Sequence, residues 1–271
     1  MKTTEPVNSE YNGFTLTELL VVVVVISILA ALLLPVLGKA KEQVRSVSCR
    51  NHLHQIGLAM QMYVSDHNIY PSGMGGGGPP FKTWPDQLAP YNPLNWTNLA
   101  WHCPTYIAEG GMVRWQPPPP NGGAFKISGS YAYNGHGMWG YEFHGPHGVA
   151  KGPWLGLGDL KRTVHENRIV LPSEMYAVAD TRPVQSASDP GLYGWIEMKP
   201  WQIWPSALKA KDIEAKPPHS QAYNLLFADG HVSPAKRKDY LYPPRTAQFW
   251  NRDHEPHPES WSPTNEWVIQ N

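Results

Sequence analysis

Charged residues are scarce in this chain of 271 residues. Asp, Glu, Lys and Arg make up 16% of the sequence, below the share of roughly a quarter that is typical of globular proteins. Lys and Arg total 22, as do Asp and Glu, so the formal net charge is zero. Proteins that bind nucleic acid through its phosphates need an excess of positive charge. The composition therefore argues against nucleic acid as a partner.

Catalytic motifs are missing as well. The sequence contains no G-x-S-x-G, no H-E-x-x-H and no P-loop. The stretch "GHGMWGYEFHGPHG" carries His136, Glu142, His144 and His147, but metal ligands need a rigid frame and this stretch is rich in glycine. We expect a surface loop there, and we predict that the protein is not an enzyme. A membrane-tethered metallohydrolase that uses this loop is the least favoured alternative.

Long apolar runs are missing except at one place. Between Phe14 and Leu37 the only charged residue is Glu18, and nothing comparable follows Lys39. A helix over these residues would span roughly 36 Å, enough for a hydrocarbon core of about 30 Å. The apolar region of a cleaved signal peptide is shorter, about 7–15 residues. The run predicts one membrane pass; a plain signal anchor would explain its length but not Glu18.

Glu18 is an unusual residue for a membrane segment, where a charge costs about 3 kcal/mol and normally has a partner. No Lys or Arg lies within a helical turn of it. The partner must then come from another chain or from a charge that processing creates. Cleavage between Gly13 and Phe14 would create an α-amino group four residues before Glu18.

The segment "GFTLTELLVVVVVISILAALLLP" resembles the N-terminus of bacterial type IV prepilins and type II secretion pseudopilins. The resemblance implies that a prepilin peptidase cuts after Gly13 and that Phe14 is N-methylated. It makes Glu18 the fifth mature residue, which in the family neutralises the terminal amine of a neighbouring subunit, and Pro35 a helix-kinking proline. The implied partners are the peptidase/N-methyltransferase, other pilin-like subunits and an inner-membrane secretion assembly platform.

A second resemblance reaches the other end of the chain. "CRNHLHQIGLAMQMYVSDHNIYPSG" is similar to a stretch of large-headed pseudopilin-like proteins, which also carry His, nine residues, then Asp-Gly. Here that signature is His219, Asp229 and Gly230 in "HSQAYNLLFADG". We interpret Asp229 and Gly230 as a two-residue turn between strands 225–228 and 231–233, with His219 bracing the preceding loop. Related pseudopilins can hold calcium near their C-terminal loops, which makes Asp229 a weak calcium candidate, but we expect no cofactor because no other carboxylates cluster there.

The two cysteines, Cys49 and Cys103, cannot form a structural zinc site by themselves. Cys49 lies on a stripe of apolar residues at spacings of 4, 3, 4 and 3, continued by Leu53, Ile56, Met60 and Tyr63, which predicts an amphipathic helix that faces a core. A disulfide is permitted if the head is extracytoplasmic. We favour the bridge, with two buried thiols as the alternative.

The predicted fold is α+β and pilin-like: one long N-terminal helix, ending near Asp66, packs on a head with an antiparallel β-sheet and long Gly/Pro-rich loops. The predicted divisions are a leader (1–13), a transmembrane and assembly helix (14–37), its amphipathic continuation (38–70) and an extracytoplasmic head (71–271). Strands are expected in "FKISGSYAYN", "SEMYAVAD" and "YGWIEM".

These features predict a single-pass protein of the bacterial inner membrane whose head is periplasmic, or extracellular in a filament. Its predicted function is that of a subunit of a type II secretion pseudopilus or a type IV pilus-like filament. The alternative is a membrane-tethered module that binds a glycan or protein through Trp-rich loops such as "WPDQ", "NPLNW" and "MKPWQIWP". Against it, aromatic residues commonly form the core of such domains.

Overall fold

The structure is a computed structural model. It describes residues 14–73, 82–92, 96–116, 126–135, 137, 155–158, 163–185, 192–193, 217–219, 222–240 and 243–257. The predicted leader, Gly13, the histidine-rich loop and the segment "MKPWQIWP" lie outside the described residues. The chain forms two compact units that divide between Lys41 and Glu42.

The first helix, α1, runs from Leu16 to His67 and contains Pro35. Its end lies one residue beyond the predicted one. In the first unit its large apolar side chains are exposed, from 46% for Val22 to 84% for Leu16. By length and composition this helix can cross a membrane, and it is the one such helix among the described residues.

In the second unit, α1 presents an apolar face to the core, as the sequence predicted. Cys49, Leu53, Ile56 and Met60 are completely buried, and Tyr63 nearly so. Gln61 is half-buried and its Nε2 donates to the Ala228 carbonyl at 2.6 Å, because its long side chain reaches the edge of the core.

The remaining elements are short. The other described α-helices are α2 (Trp84–Leu88), α3 (Pro104–Ala108), α4 (Arg237–Tyr240) and α5 (Pro243–Trp250), and two 3₁₀ helices span Leu99–Trp101 and Glu166–Arg168. The described strands are β1 (Gly111–Met112), β2 (Arg114–Gln116), β3 (Lys126–Ser128), β4 (Tyr131–Tyr133), β5 (Tyr176–Asp180), β6 (Val184–Gln185), β7 (Leu192–Tyr193), β8 (Ala222–Phe227) and β9 (Val232–Lys236). A long apolar helix with an antiparallel sheet in the head confirms the predicted α+β, pilin-like arrangement.

The central sheet has four antiparallel strands in the order β4-β5-β8-β9. Its two faces bury different clusters, because alternate side chains of a strand point to opposite sides. Leu226 packs in the same cluster as α1, whereas its neighbour Leu225 packs with Trp250 of α5. An irregularity between Tyr176 and Val178 in β5 breaks the alternation. The sheet is therefore covered by α1 on one side and by the C-terminal helices on the other.

The β8–β9 hairpin confirms the predicted strand pair, but its turn is longer than the two residues expected. Phe227 N donates to His231 O at 2.9 Å, and Gly230 N donates to Phe227 O at 3.0 Å. Gly230 has φ +93°, whereas Asp229 is absent from the described residues with positive φ. A three-residue loop with glycine in the left-handed position is the next common hairpin connection after the two-residue turn. The glycine is required here, and Asp229 is not a left-handed residue.

Four described tryptophans belong to the core. Trp84, Trp96, Trp101 and Trp250 are each at most 4% exposed, and the first three pack against one another. "WPDQ" is helix α2, whose Trp84 stacks on Tyr133. These residues therefore offer no exposed ring for a glycan, and the other loops of that alternative lie partly or wholly outside the described residues.

Candidate functional site

Glu18 closes the N-terminal end of α1 through Thr15. The Thr15 backbone N and Oγ1 donate to Glu18 Oε2 at 2.9 and 2.7 Å, and Glu18 N donates to Thr15 Oγ1 at 3.2 Å. This reciprocal pattern is a capping box, and a helix N-terminus favours a negative charge. The sequence argument looked only for a cationic partner and missed this neutral one. These bonds to Thr15 position the carboxylate but supply no cation to neutralise its charge.

Phe14 and Pro35 lie in the same first unit as Glu18. Phe14 precedes the helix and is 74% exposed. Pro35 lies inside the helix, where it has no N–H to donate to the carbonyl one turn earlier. The assembly residues proposed from the sequence thus share one exposed apolar helix.

In the second unit, His219 is the centre of a buried polar cluster. Its Nε2 lies 3.3 Å from Asp180 Oδ2 and its Nδ1 lies 3.0 Å from Glu42 Oε1. Thr105 Oγ1 is 3.4 Å from Nδ1, and Cys103 Sγ is 3.3 Å from Nε2. Strand β5 ends in Asp180, α1 supplies Glu42, and a backbone bridge between His219 and Ala222 holds the histidine just before β8.

The two carboxylates favour a protonated imidazole. Burial lowers the pKa of His219, but the hydrogen bond and charge of Asp180, followed by those of Glu42, outweigh burial and raise it. Burial raises the pKa of Asp180, against the opposing effect of His219 and of Asn224. Asn224 donates its backbone N and its Nδ2 to the two Asp180 oxygens at 3.0 and 2.8 Å. Every polar group of this cluster therefore has a hydrogen-bond partner.

Cys49 and Cys103 form a disulfide beside this cluster. Their Cα atoms are 5.0 Å apart and both residues are completely buried. The bridge ties α1 to the residue that precedes α3. Of the two alternatives left open by the sequence, the structure has the bridge.

Two sequence signatures and the second cysteine meet at this point: the Cys49 stretch, His219 of the C-terminal motif, and Cys103. Sequence reasoning missed Asp180 and Glu42, which lie far from His219 in the chain. A weak signal existed for Glu42, because it is the only acidic residue between Glu18 and Asp66. Its neighbours in that stretch are basic, so a lone acid on the head side of a helix suggests a buried partner.

The Asp229–Gly230 end of the motif contacts α1 at a second place. A Cβ on Gly57 would lie 2.7 Å from Leu226 Cδ1 and 3.0 Å from Gly230 O. His219 contacts the helix at Glu42, and the turn contacts it 15–19 residues later, at Gly57 and Gln61, which is about 22–28 Å along an α-helix. Strand β8 lies between His219 and the Asp229–Gly230 turn and thus connects the two contacts with α1.

Asp229 has a local role in the turn. Its Oδ1 accepts from His231 N at 3.1 Å and lies 2.6 Å from His231 Nδ1. Among the described residues, the group of potential metal ligands is Cys49, Cys103 and His219, and it does not include Asp229. The predictions about calcium and about the lack of a cofactor stay predictions.

The chain matches two protein families. Residues 9–34 match the prokaryotic N-terminal methylation motif, and residues 38–105 match a family described as protein of unknown function (DUF1559). The first match includes Gly13, Phe14 and Glu18. The second includes Glu42, Cys49 and Cys103.

Similar curated proteins are named as components of type II secretion systems and of a type IV pilus. The type II secretion system core protein G of Pseudomonas aeruginosa is 34% identical over 84 residues, covering 28% of this chain and 59% of that protein. The core protein G of Pectobacterium carotovorum is 38% identical over 60 residues (22% and 38%). The type IV wide pilus major component PilA4 of Thermus thermophilus is 40% identical over 60 residues (22% and 46%). The chain thus matches less than two thirds of each relative's length, and no solved structure matches it.

Proposed function

We propose that this chain is a pilin-like structural subunit that is cut after Gly13, N-methylated at Phe14 and assembled through α1 into a pseudopilus or pilus-like filament. The observation that carries the proposal is Glu18, five residues after Gly13, at the start of an exposed apolar helix and inside a methylation motif. Relatives named as a secretion core protein and a major pilus component support a structural rather than a catalytic role.

The exposed apolar face of α1 supplies the driving force for assembly. Side chains between Phe14 and Leu37 are roughly half exposed or more, so they must be covered by lipid or by neighbouring helices. In the membrane this segment anchors the precursor. In a filament the same segments of neighbouring subunits pack together.

Glu18 sets the register of that packing. Two unit charges about 4 Å apart attract by about 4 kcal/mol at an effective dielectric of 20, and desolvation removes much of this gain. A subunit shifted along the helix would leave its carboxylate and its neighbour's amine both unpaired. The pair therefore specifies position more than it adds strength, and Thr15 holds the carboxylate in place for it.

We place the processed protein in the bacterial inner membrane, with its head in the periplasm or, in a filament, outside the cell. The prepilin peptidase, other pilin-like subunits and an inner-membrane assembly platform are its proposed partners. The disulfide supports an oxidising compartment for the head. Whether the filament serves secretion or a surface pilus depends on the assembly platform that accepts it.

The N-terminus of the membrane-extracted protein tests the proposal. Mass spectrometry of protein from cells with a prepilin peptidase should show a chain that begins with N-methyl-Phe14. The matched control is Gly13→Val, which should keep the leader and remain in the membrane. Wild-type protein that retains Met1 in the same cells would contradict the proposal.

A further inference from the structure

The residues around His219 are not explained by assembly, since α1 can anchor and pack without them. Both cysteines and the histidine of the C-terminal motif nevertheless converge there in a buried position. Cys49, Cys103 and His219 each offer a ligand atom, and these atoms all lie within 4.8 Å of one another. His219 is the third donor, which the sequence argument from two cysteines alone did not have, whereas Asp180 does not belong to this group.

The distances fit a tetrahedral metal. Zinc–ligand bonds of about 2.0–2.3 Å place neighbouring ligand atoms about 3.3–3.8 Å apart in a tetrahedron. His219 Nε2 lies 3.3 Å from Cys103 Sγ. Imidazole nitrogen and thiolate sulfur are donors that zinc prefers in proteins, and sites with two cysteines, one histidine and a water in the fourth position occur. The ring nitrogen thus faces a sulfur donor at the spacing of a coordination shell.

The other ring nitrogen is held as it is in metal sites. Glu42 Oε1 lies 3.0 Å from His219 Nδ1, and a metal-binding histidine normally donates its second N–H to a carboxylate or carbonyl. Asn224 in turn holds the Asp180 carboxylate. Glu42 is thus a positioning residue that orients Nε2 toward the sulfur atoms.

We propose that the reduced head binds one Zn²⁺ through Cys49, Cys103 and His219, and that the disulfide is the alternative, metal-free state of the same site. The two states exclude each other because both use the cysteine sulfur atoms. A newly made chain carries thiols, so the metal state comes first. In an oxidising compartment, exchange with the disulfide of an oxidising partner forms the Cys49–Cys103 bond, the partner's disulfide is reduced to two thiols, and the ion is released.

The conversion of the disulfide into the zinc-bound form conserves atoms and electrons. When a phosphine reduces the disulfide, the S–S bond breaks, water supplies the oxygen of the phosphine oxide, and the sulfurs take up two protons as thiols. Zn²⁺ then displaces both thiol protons and the Nε2 proton of His219 to solvent. Because the cysteines are buried, the ion must enter when the head is open or as it folds.

The test uses the full chain in detergent micelles. One sample is unfolded in urea with a phosphine and refolded with Zn²⁺ without oxygen, and its two thiols are confirmed by alkylation; the other is refolded with the disulfide intact. After removal of free ions, mass spectrometry of metals should find one zinc per reduced chain and none per oxidised chain. Equal zinc in the two samples, or none in the reduced one, would overturn the proposal.

Cobalt and single substitutions identify the ligands. Co²⁺ in place of Zn²⁺ should give thiolate charge-transfer bands and the visible bands of a tetrahedral ion. Cys103→Ser should remove the charge-transfer bands of a two-thiolate site, and metal bound equally well by this variant would contradict the ligand set. Near-ultraviolet circular dichroism of the oxidised His219→Ala protein would report any loss of fold separately from loss of metal.

Glu42→Gln tests the role of the carboxylate outside the ligand set. Loss of such a group typically weakens metal binding about 10–100-fold, and the cobalt spectrum should keep its tetrahedral form. His231→Gln is the matched control, because His231 lies in the hairpin turn away from the cysteines, and it should not change affinity. An unchanged affinity for Glu42→Gln would remove the positioning role. The outcome is independent of leader cleavage, so this inference and the proposed assembly role can fail separately.

Discussion

At the scale of single residues, His102 is the clearest case of a group that the fold keeps uncharged. It is 1% exposed. Its Nε2 lies 2.6 Å from Trp96 O, and its Nδ1 accepts from Ser130 N at 3.2 Å. Protonation of Nδ1 would break the second bond. Burial lowers the pKa of His102 to about 4, with the Trp96 carbonyl opposing and His52 adding to the effect.

The oxidised protein should therefore lose stability in mild acid. An unfolded histidine has a pKa of about 6.5, so below that pH the unfolded state binds a proton that the folded state refuses until about pH 4. The contribution is complete above pH 6.5 and is lost as pH falls toward 4. Between pH 7.5 and 5 the free energy of unfolding should decrease by about 2 kcal/mol from this residue alone.

Urea denaturation of wild type and His102→Gln at both pH values measures this difference. His54→Gln, a change at an exposed histidine, is the control and should follow wild type. His219 acts in the opposite direction, because its raised pKa gives stability that is present at low pH and is lost as pH rises. A wild-type minus variant difference that does not change with pH would contradict the account of His102.

Residue roles were predictable only where sequence neighbours define them. Glu18 was identified because its spacing from Gly13 and its apolar surroundings are both local. Its cap on Thr15 is also local, and the capping-box pattern could have been found in "TLTE". Asp180 was not predictable, since nothing in "YAVAD" indicates that the strand ends beside a histidine some forty residues later.

At the scale of elements, α1 depends on Gly57 for its contact with the last hairpin. Gly57→Ala should lower the free energy of unfolding of the head by about 1 kcal/mol. Alanine improves helix propensity by up to about 1 kcal/mol, but overpacking against Leu226 and the Gly230 carbonyl costs about 1–3 kcal/mol. Gly38→Ala, on the same helix with nothing within 4 Å of the added Cβ, should not be destabilising.

Thermal or urea unfolding of both alanine variants in the same detergent compares them directly. If Gly57→Ala were as stable as Gly38→Ala, the hairpin would not pack as closely against Gly57 as it does in the structure. The comparison is sharp because the two substitutions are chemically identical and differ only in what surrounds them.

The disulfide should contribute more to the free energy of unfolding than the contact at Gly57 does. It closes a loop of 54 residues, for which the chain-entropy model gives about 4 kcal/mol. Reduction in the presence of a zinc chelator should lower the free energy of unfolding by about this amount. Urea denaturation of the oxidised and reduced chains checks it, with Cys103→Ser expected to match the reduced form; a difference below about 1 kcal/mol would contradict the prediction.

Elements with a strong local period were predictable, and turns were less so. The 4, 3, 4, 3 spacing from Cys49 to Tyr63 identified the buried face of α1, because helical periodicity is a property of the sequence itself. The hairpin at Asp229 was found for a similar reason. Its turn length was wrong because Asp-Gly fits both a two-residue turn and the end of a three-residue one, and the contact of Gly230 with α1 selects the second.

At the scale of the whole molecule, assembly should depend more on the charge of Glu18 than on its hydrogen bonds to Thr15. Glu18→Ala should insert into the membrane normally and fail to co-assemble, because the neighbouring amine would have no partner. Glu18→Gln keeps an oxygen that Thr15 can donate to but carries no charge, so it should also insert and fail. Membrane fractionation and co-purification with wild-type subunits measure the two steps.

Thr15→Val is the matched control for the cap, and we expect it to reduce assembly less than either change at Glu18. Normal assembly of Glu18→Gln would show that the hydrogen bond, not the charge, is what matters. Failure of Glu18→Ala to insert would show that the carboxylate acts in membrane insertion, which precedes assembly.

The arrangement of the sheet could not be read from the sequence. The chain leaves β4 at Tyr133 and returns to its neighbour β5 at Tyr176, and β8 joins the sheet after a further long excursion. Pairing at such separations depends on how the head closes around its core, and short strands in Gly- and Pro-rich sequence have no period that fixes their neighbours.

The bridge between Cys49 and Cys103 has a mechanical consequence. A pull along α1 would otherwise have to shear the helix past the sheet side chain by side chain. With the sulfur–sulfur bond in place, the load passes through a covalent joint near the point where the helix enters the folded body. In the proposed filament, a disulfide-bonded subunit under tension would then unfold at another place first. In the thiol form, α1 could slide along the sheet.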